Sequence, residues 1–124
     1  MLVMVVDDNR GVREMLLDCF TAQGHECVGA IGGQAAFDTI RTLLGEGEKV
    51  GAIVSDLEMP NGGGLELHGN VARHWPELAT RMVFMTGGPT WLKEQVREET
   101  GRPVFSKPFS PLRMLEVVSS LLPE

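Results

Sequence analysis

Five side chains capable of chemistry stand at or just after apolar runs of the sequence. Asp7 and Asp8 follow the first run, and Asp56, Thr86 and Lys107 come at the ends of later ones. Carboxylates that gather at one place repel one another, and a hard cation such as Mg²⁺ relieves that repulsion. A carboxylate can also attack a phosphoryl group, and a lysine, a hydroxyl and a cation would stabilise the transition state. If the fold brings these residues together, they indicate magnesium-assisted phosphoryl chemistry.

Short apolar runs alternate along the chain with segments whose apolar residues have the spacing of a helix. This alternation determines where the five residues can lie in the fold. The helical spacing places apolar residues three, four and seven positions apart, as on one face of a helix. The short apolar runs suit strands that are buried on both faces. Strands are predicted at 2–6, 26–30, 50–55, 81–86 and 103–106, and helices around 12–20, at 33–44, at 64–75, at 90–100 and from Ser110 to Leu122.

Five strands alternating with five helices predict an α/β fold, a doubly wound five-stranded parallel sheet with helices on both faces. In such folds, ligands bind beyond the carboxyl ends of the strands, near the point where the strand order reverses. The five candidate residues all occupy strand ends. We therefore expect them to meet at one edge of the sheet, with Asp56 buried at its sides and open at the top.

The length and net charge of the chain limit the classes of protein to which it can belong. A chain of 124 residues suits one domain, predicted to span residues 1–124. The formal charge of −6 makes nucleic acid a poor partner, and no apolar run is long enough to cross a membrane. No export signal precedes the first strand, so we expect a cytoplasmic protein in which Cys19 and Cys27 are free thiols.

Four segments, VMVVDDN, IVSDLEMP, VFMTGG and FSKPF, occur in this order at predicted strand ends. Together they resemble the motifs of the two-component response-regulator receiver domain, over nearly the whole chain from Leu2 to about Leu122. The segments VFMTGGP and GRPVFSKPF look most like receivers attached to hybrid sensor kinases. The resemblance implies a flavodoxin-like fold of receiver type. It also implies a signalling domain that is not an enzyme, apart from catalysing its own phosphorylation and dephosphorylation.

The resemblance also assigns roles to the candidate residues. Asp56 would accept a phosphoryl group from the phosphohistidine of a sensor histidine kinase or phosphotransfer protein. Asp7, Asp8 and Asp56 would hold Mg²⁺ with the backbone carbonyl of Glu58. Thr86 and Lys107 would contact the phosphoryl oxygens, with a cis bond between Lys107 and Pro108. A downstream effector or a fused kinase domain would be a further partner.

Two other classes share parts of this pattern. A flavodoxin-like FMN carrier would have the same architecture, but its first loop must hold a phosphate, and Asp7 and Asp8 place two negative charges there. A phosphatase of the haloacid-dehalogenase type uses an aspartyl nucleophile with an acid–base residue two positions later. Glu58 has that spacing from Asp56, but on the third strand and not the first. A degenerate receiver would lack a required residue, and none is missing.

Some residues fall outside these roles or depart from the family pattern. Many relatives have an aromatic residue three positions before the lysine, where this chain has Val104, followed by Phe105. Trp91 either covers the core or faces a partner. The glycines at 62, 63 and 64 are typical of a mobile loop. We expect the three histidines, at 25, 68 and 74, to be structural or surface residues.

Overall fold

The fold was obtained as a computed structural model, and it describes residues 1–60 and 62–123. Five strands form one parallel sheet in the order β2-β1-β3-β4-β5. They are β1 (Leu2–Val6), β2 (Glu26–Ala30), β3 (Val50–Asp56), β4 (Met82–Thr86) and β5 (Val104–Ser106). Described helices are α1 (Arg10–Ala22), α2 (Gly33–Gly45), α3 (Gly64–His74), α4 (Pro76–Ala79), α5 (Thr90–Thr100) and α6 (Pro111–Leu121). This confirms the predicted doubly wound α/β fold.

The prediction of five helices missed one short element. The helix predicted at 64–75 ends at His74, and a separate one-turn helix follows at Pro76–Ala79. Proline at its first position favours a new helix start. The backbone N–H at this position has no partner within the helix, so proline, which lacks that N–H, loses no hydrogen bond there. A four-residue helix is too short to produce helical periodicity, so spacing alone could not reveal it.

Two hydrophobic clusters cover the two faces of the sheet. On one face, α1 and α6 bury Phe20 and Met114 against β1, β3 and β4. On the other face, α2, α3 and α5 bury Ile40, Leu67 and Val96. Strands β1, β3 and β4 are central, and every residue of β3 and β4 is buried. The central strands are therefore apolar throughout and fix the positions of the polar residues at their ends.

The strand order reverses between β1 and β3, because the chain moves outward from β1 to β2 and then returns to the other side of β1. The register pairs Val6 with Ser55, so Asp7 and Asp56 leave the sheet next to each other. The rule that ligands bind at the reversal point of such sheets thus indicates the place where the candidate carboxylates lie.

The glycines after β3 allow the backbone to come very close to that strand end. A Cβ on Gly64 would lie 2.5 Å from the carbonyl oxygen of Asp56, and one on Gly63 would come even closer to that of Leu57. Gly62 has a φ of 104°, which favours glycine. These glycines therefore have a packing role beside Asp56, which the prediction of a mobile loop did not include.

Trp91 lies on α5 with 64% of its surface exposed. Of the two alternatives from the sequence, covering the core is therefore wrong, and Trp91 faces outward. The three histidines have structural surroundings, since His25 packs against Phe20, His68 against Phe84 and His74 against Trp75. Burial, together with the charge of Arg102, lowers the pKa of His68.

Candidate functional site

Asp7 is the most firmly held carboxylate of the site. It is fully buried, and the backbone N–H of Asn9 donates to its Oδ1 at 2.9 Å. Lys107 Nζ donates to its Oδ2 at 3.0 Å, and Arg13 donates to its backbone carbonyl at 2.8 Å. Asp8, the next residue, is exposed. The two neighbouring aspartates thus differ, since one is fixed inside the protein and the other faces solvent.

Asn9 contributes to this arrangement, although the sequence analysis did not single it out. Its side chain accepts from the backbone N–H of Val12 at 3.0 Å and so caps helix α1. Asparagine is a preferred N-cap residue, and this preference could have identified it. The cap fixes the turn in which the N–H of Asn9 points at Asp7.

Asp56 is the last residue of β3 and is 4% exposed. Its Oδ2 accepts from Lys107 Nζ at 3.2 Å. Its Oδ1 is buried and has no hydrogen-bond partner among residues 1–60 and 62–123. Burying an unpartnered carboxylate oxygen is costly, so this atom indicates a position for a further ligand.

The surroundings of Asp56 shift its titration. Burial and, to a smaller extent, the negative charge of Asp7 raise the pKa of Asp56 to about 6, although Lys107 partly opposes both effects. Burial alone would lower the pKa of Lys107, but its hydrogen bond to Asp7 and the charge of Asp56 raise it overall. At neutral pH the lysine is therefore charged, and Asp56 is mostly ionised.

Lys107 bridges two strand ends through its ammonium group. It comes just after β5, and its backbone N–H donates to the carbonyl of Thr86 at 2.7 Å. Its Nζ contacts both Asp7 and Asp56. The strand ends were expected to meet at one edge of the sheet, but the bond from Lys107 to Asp7 was not predicted. The Lys107–Pro108 bond is cis, as the resemblance implied.

Thr86 lies at the end of β4 and is fully buried. Its Oγ1 accepts from the backbone N–H of Gly88 at 2.9 Å and donates to the carboxylate of Glu58. Thr86 and Glu58 therefore meet through their side chains. The resemblance assigned only the backbone carbonyl of Glu58 as a ligand, and that assignment stays a prediction.

The three aspartates form a group that suits a divalent cation. One carboxylate oxygen from each of Asp7, Asp8 and Asp56 lies within 4.8 Å of the others. Mg²⁺ prefers oxygen ligands and usually keeps several waters beside one or two carboxylates. The unpartnered Oδ1 of Asp56 and the exposed carboxylate of Asp8 both fit such a ligand set. The donors present therefore fit Mg²⁺.

Replacing Asp8 by asparagine is expected to weaken Mg²⁺ binding at least about tenfold, because a charged ligand is lost. The metal-free protein should gain about 0.5 kcal/mol of stability, since the repulsion from Asp7 and Asp56 falls at an exposed position. Titration calorimetry with Mg²⁺ and urea unfolding in a chelator measure the two effects. Asp18→Asn, an exposed aspartate on α1, is the matched control. A destabilised metal-free Asp8→Asn would contradict the clustered-carboxylate interpretation.

Asp56→Asn is expected to stabilise the metal-free protein in a pH-dependent way. The pKa of Asp56 is about 6 in the folded protein against 3.8 ordinarily, so ionisation favours the unfolded chain as pH rises from about 4 to 6. At pH 7.5 the variant should gain about 2–3 kcal/mol over wild type, and below pH 4 almost nothing. Urea unfolding in a chelator across this range measures the gain. A gain that is constant with pH would mean that the charge of Asp56 is not its source.

With this geometry described, the chain was compared with known proteins. The family model for the response regulator receiver domain matches residues 3–119, which include all the candidate residues. The chain belongs to the response regulator receiver domain family. A receiver domain is a phosphoacceptor signalling domain of two-component systems, and the rival interpretation as an FMN carrier is thereby excluded.

A curated relative and solved structures agree with this family. The response regulator protein FleR of Pseudomonas aeruginosa is 27% identical over 117 residues, covering 94% of this chain and 24% of FleR. The chain thus spans about a quarter of that relative. A receiver protein from Pseudomonas putida is 28% identical with a TM-score of 0.79, covering 96% of this receiver and 95% of that chain.

A second structure shares the fold at lower identity. The response regulator TrrA from Thermotoga maritima, solved in complex with Mg²⁺ and BeF, has a TM-score of 0.82 at 22% identity, and the match covers 98% of both chains.

In the receiver described here, no helix of residues 1–60 and 62–123 has the length and apolar character needed to cross a membrane.

Proposed function

We propose that Asp56 is the phosphoacceptor of this receiver and that Asp7, Asp8 and Asp56 bind Mg²⁺ with the backbone carbonyl of Glu58. The observation that carries this proposal is the buried, unpartnered Oδ1 of Asp56. One carboxylate oxygen of Asp56 lies within 4.8 Å of oxygens from the other two aspartates, and Lys107 donates to Oδ2 and leaves Oδ1 free. Asp7 is a poorer acceptor, because both of its carboxylate oxygens already accept hydrogen bonds.

The proposed reaction is phosphoryl transfer from a phosphohistidine. A carboxylate oxygen of Asp56 forms a bond to phosphorus as the bond from phosphorus to the histidine nitrogen breaks, and that nitrogen keeps the electron pair. With a pKa of about 6, Asp56 is mostly ionised at neutral pH and so available as a nucleophile. Bound Mg²⁺ would supply positive charge to offset the charge that develops on the phosphoryl oxygens.

Lys107 and Thr86 complete the proposed set of phosphoryl contacts. The ammonium of Lys107 lies 3.2 Å from Asp56 Oδ2, so it can pair with a phosphoryl oxygen after a small movement. The hydroxyl of Thr86, at the end of the neighbouring strand, can donate to another. A compact lysine charge and one hydroxyl donor suit the equatorial oxygens of a transferring phosphoryl group.

The proposal extends to partners and to organisation. The donor would be a sensor histidine kinase or a phosphotransfer protein, and the signal would pass to a downstream effector or a fused kinase domain. Residues 1–124 would form one receiver domain that also catalyses loss of its own phosphate. Lys107 supports the proposed passing of a signal, because it joins the ends of β1 and β3. Phosphate at Asp56 would change the partners of that lysine.

Intact mass spectrometry tests the proposal directly. The protein is incubated with Mg²⁺ and a small acyl phosphate, and one added phosphate per chain is expected. The same incubation with a chelator should give none. An unchanged mass in the presence of Mg²⁺ would contradict the proposal. Continuous release of phosphate from a phosphate ester would instead favour the phosphatase alternative, because a receiver takes up about one phosphate per chain.

A further inference from the structure

The hydroxyl of Thr86 has no donor capacity left in the resting structure. A threonine hydroxyl carries one proton, and here that proton is donated to Glu58. The oxygen also accepts from the backbone N–H of Gly88 at 2.9 Å, which fixes the direction of the hydroxyl. Because Thr86 is fully buried, water cannot take the place of either partner easily.

The backbone around Thr86 leaves room for the Glu58 carboxylate. A Cβ on Gly88 would lie 3.1 Å from Glu58 Oε1 and 3.1 Å from Thr86 Oγ1. A larger side chain at Gly88 would therefore crowd both groups. Glu58 itself is exposed, and its carboxylate contacts the buried hydroxyl.

We propose that the side chain of Glu58 is a positioning residue that holds the Thr86 hydroxyl in the resting state and competes with the phosphoryl group for it. This inference rests on the proposed function, in which Thr86 donates to a phosphoryl oxygen. A single proton cannot be donated to Glu58 and to the phosphoryl group at once. Formation of the phosphorylated state must therefore break the bond between Glu58 and Thr86.

A competing explanation is that Glu58 acts only by its negative charge. Its carboxylate stands two residues beyond Asp56 and would repel a phosphoryl group in any case. Because Glu58 is exposed, solvent and salt screen that repulsion. The two explanations differ in one respect, since competition requires the hydroxyl of Thr86 and repulsion does not.

A double-mutant cycle separates them, with the beryllofluoride–Mg²⁺ complex as the probe of the phosphorylated state. Glu58→Ala should tighten beryllofluoride binding about fivefold when residue 86 is threonine, because a charge-assisted hydrogen bond no longer opposes it. In a Thr86→Val background the same change should tighten binding less than about twofold. Glu66→Ala, an exposed glutamate on α3, controls for removal of a charge from the surface.

A Thr86→Ser background keeps the hydroxyl and should restore most of the gain, which guards against disruption of the site by valine. Equal tightening in the threonine and valine backgrounds would overturn the proposal in favour of repulsion. So would the absence of any tightening in the threonine background. If wild type itself binds no beryllofluoride, the proposed phosphoacceptor site is wrong, and the proposed competition by Glu58 is wrong as well.

The resting state gives a readout that needs neither metal nor phosphate. In the metal-free protein, Glu58→Ala should shift the NMR signals of the Thr86 methyl group and the Gly88 amide, because the hydroxyl loses its acceptor. Glu66→Ala should leave both signals in place. Unchanged Thr86 and Gly88 signals in Glu58→Ala would show that the resting bond does not exist in solution and would overturn the proposal.

Discussion

Replacing Asp56 by asparagine is expected to abolish phosphate incorporation while leaving the fold intact. The asparagine amide has nearly the same shape as the carboxylate but lacks the negative charge that makes it a nucleophile. No other carboxylate of the acidic cluster is equally available. Both oxygens of Asp7 already accept hydrogen bonds, and Asp8 is exposed and does not share the ion pair that Asp56 forms with Lys107. The loss should therefore be complete within detection.

Intact mass over time, with Mg²⁺ and a small acyl phosphate, measures this loss. Circular dichroism of the variant checks that the fold is kept. Asp18→Asn is the matched control, because Asp18 is an exposed aspartate on α1 that contributes nothing to the acidic cluster. If Asp56→Asn still gains one phosphate at the wild-type rate, the acceptor is another residue. Asp8 would then be the next to replace.

Much of this site could be predicted from the sequence, because a parallel sheet leaves little freedom at its strand ends. The apolar runs of β1 and β3 predicted strands that are buried on both faces, and an aspartate stands at the end of each run. Once those strands are neighbours, Asp7 and Asp56 must lie close together, as the pairing of Val6 with Ser55 shows. The same reasoning placed Thr86 and Lys107 at the same edge.

The contacts between loops could not be predicted in this way. Periodicity does not indicate where a side chain in a loop points. The hydrogen bond from Thr86 to Glu58, which lies in the loop after β3, could therefore not be predicted from the sequence pattern. The second bond of Lys107, to Asp7, also depends on how the chain turns after β5. Both contacts join residues far apart in sequence, and only tertiary packing decides them.

Replacing Lys107 by methionine is expected to destabilise the metal-free protein by about 3 kcal/mol at pH 7.5. Methionine keeps much of the length of the side chain but removes the charge. The ammonium is the one described cation that forms ion pairs with Asp7 and Asp56, and both carboxylates are almost fully buried. Without it, two buried negative charges face each other, and one must be protonated or the protein loses stability.

The dependence on pH distinguishes loss of charge from loss of packing. Lys107 lowers the pKa of Asp56, so in its absence the pKa should rise above the wild-type value of about 6. An acid with a raised folded pKa destabilises the protein as pH increases through that pKa. The loss in Lys107→Met should therefore be large at pH 8 and small at pH 5. Lys49→Met, at an exposed lysine without an ion pair among the described residues, should show no such trend.

Addition of Mg²⁺ gives the last and sharpest test of Lys107. If Asp7, Asp8 and Asp56 form the metal site, a divalent cation replaces the positive charge that Lys107→Met removes. Mg²⁺ should then restore more stability to this variant than it adds to wild type, in urea unfolding at pH 7.5. An equal loss at pH 5 and pH 8, with no additional recovery in Mg²⁺, would show that Lys107 stabilises the site through its aliphatic stem and not through its charge.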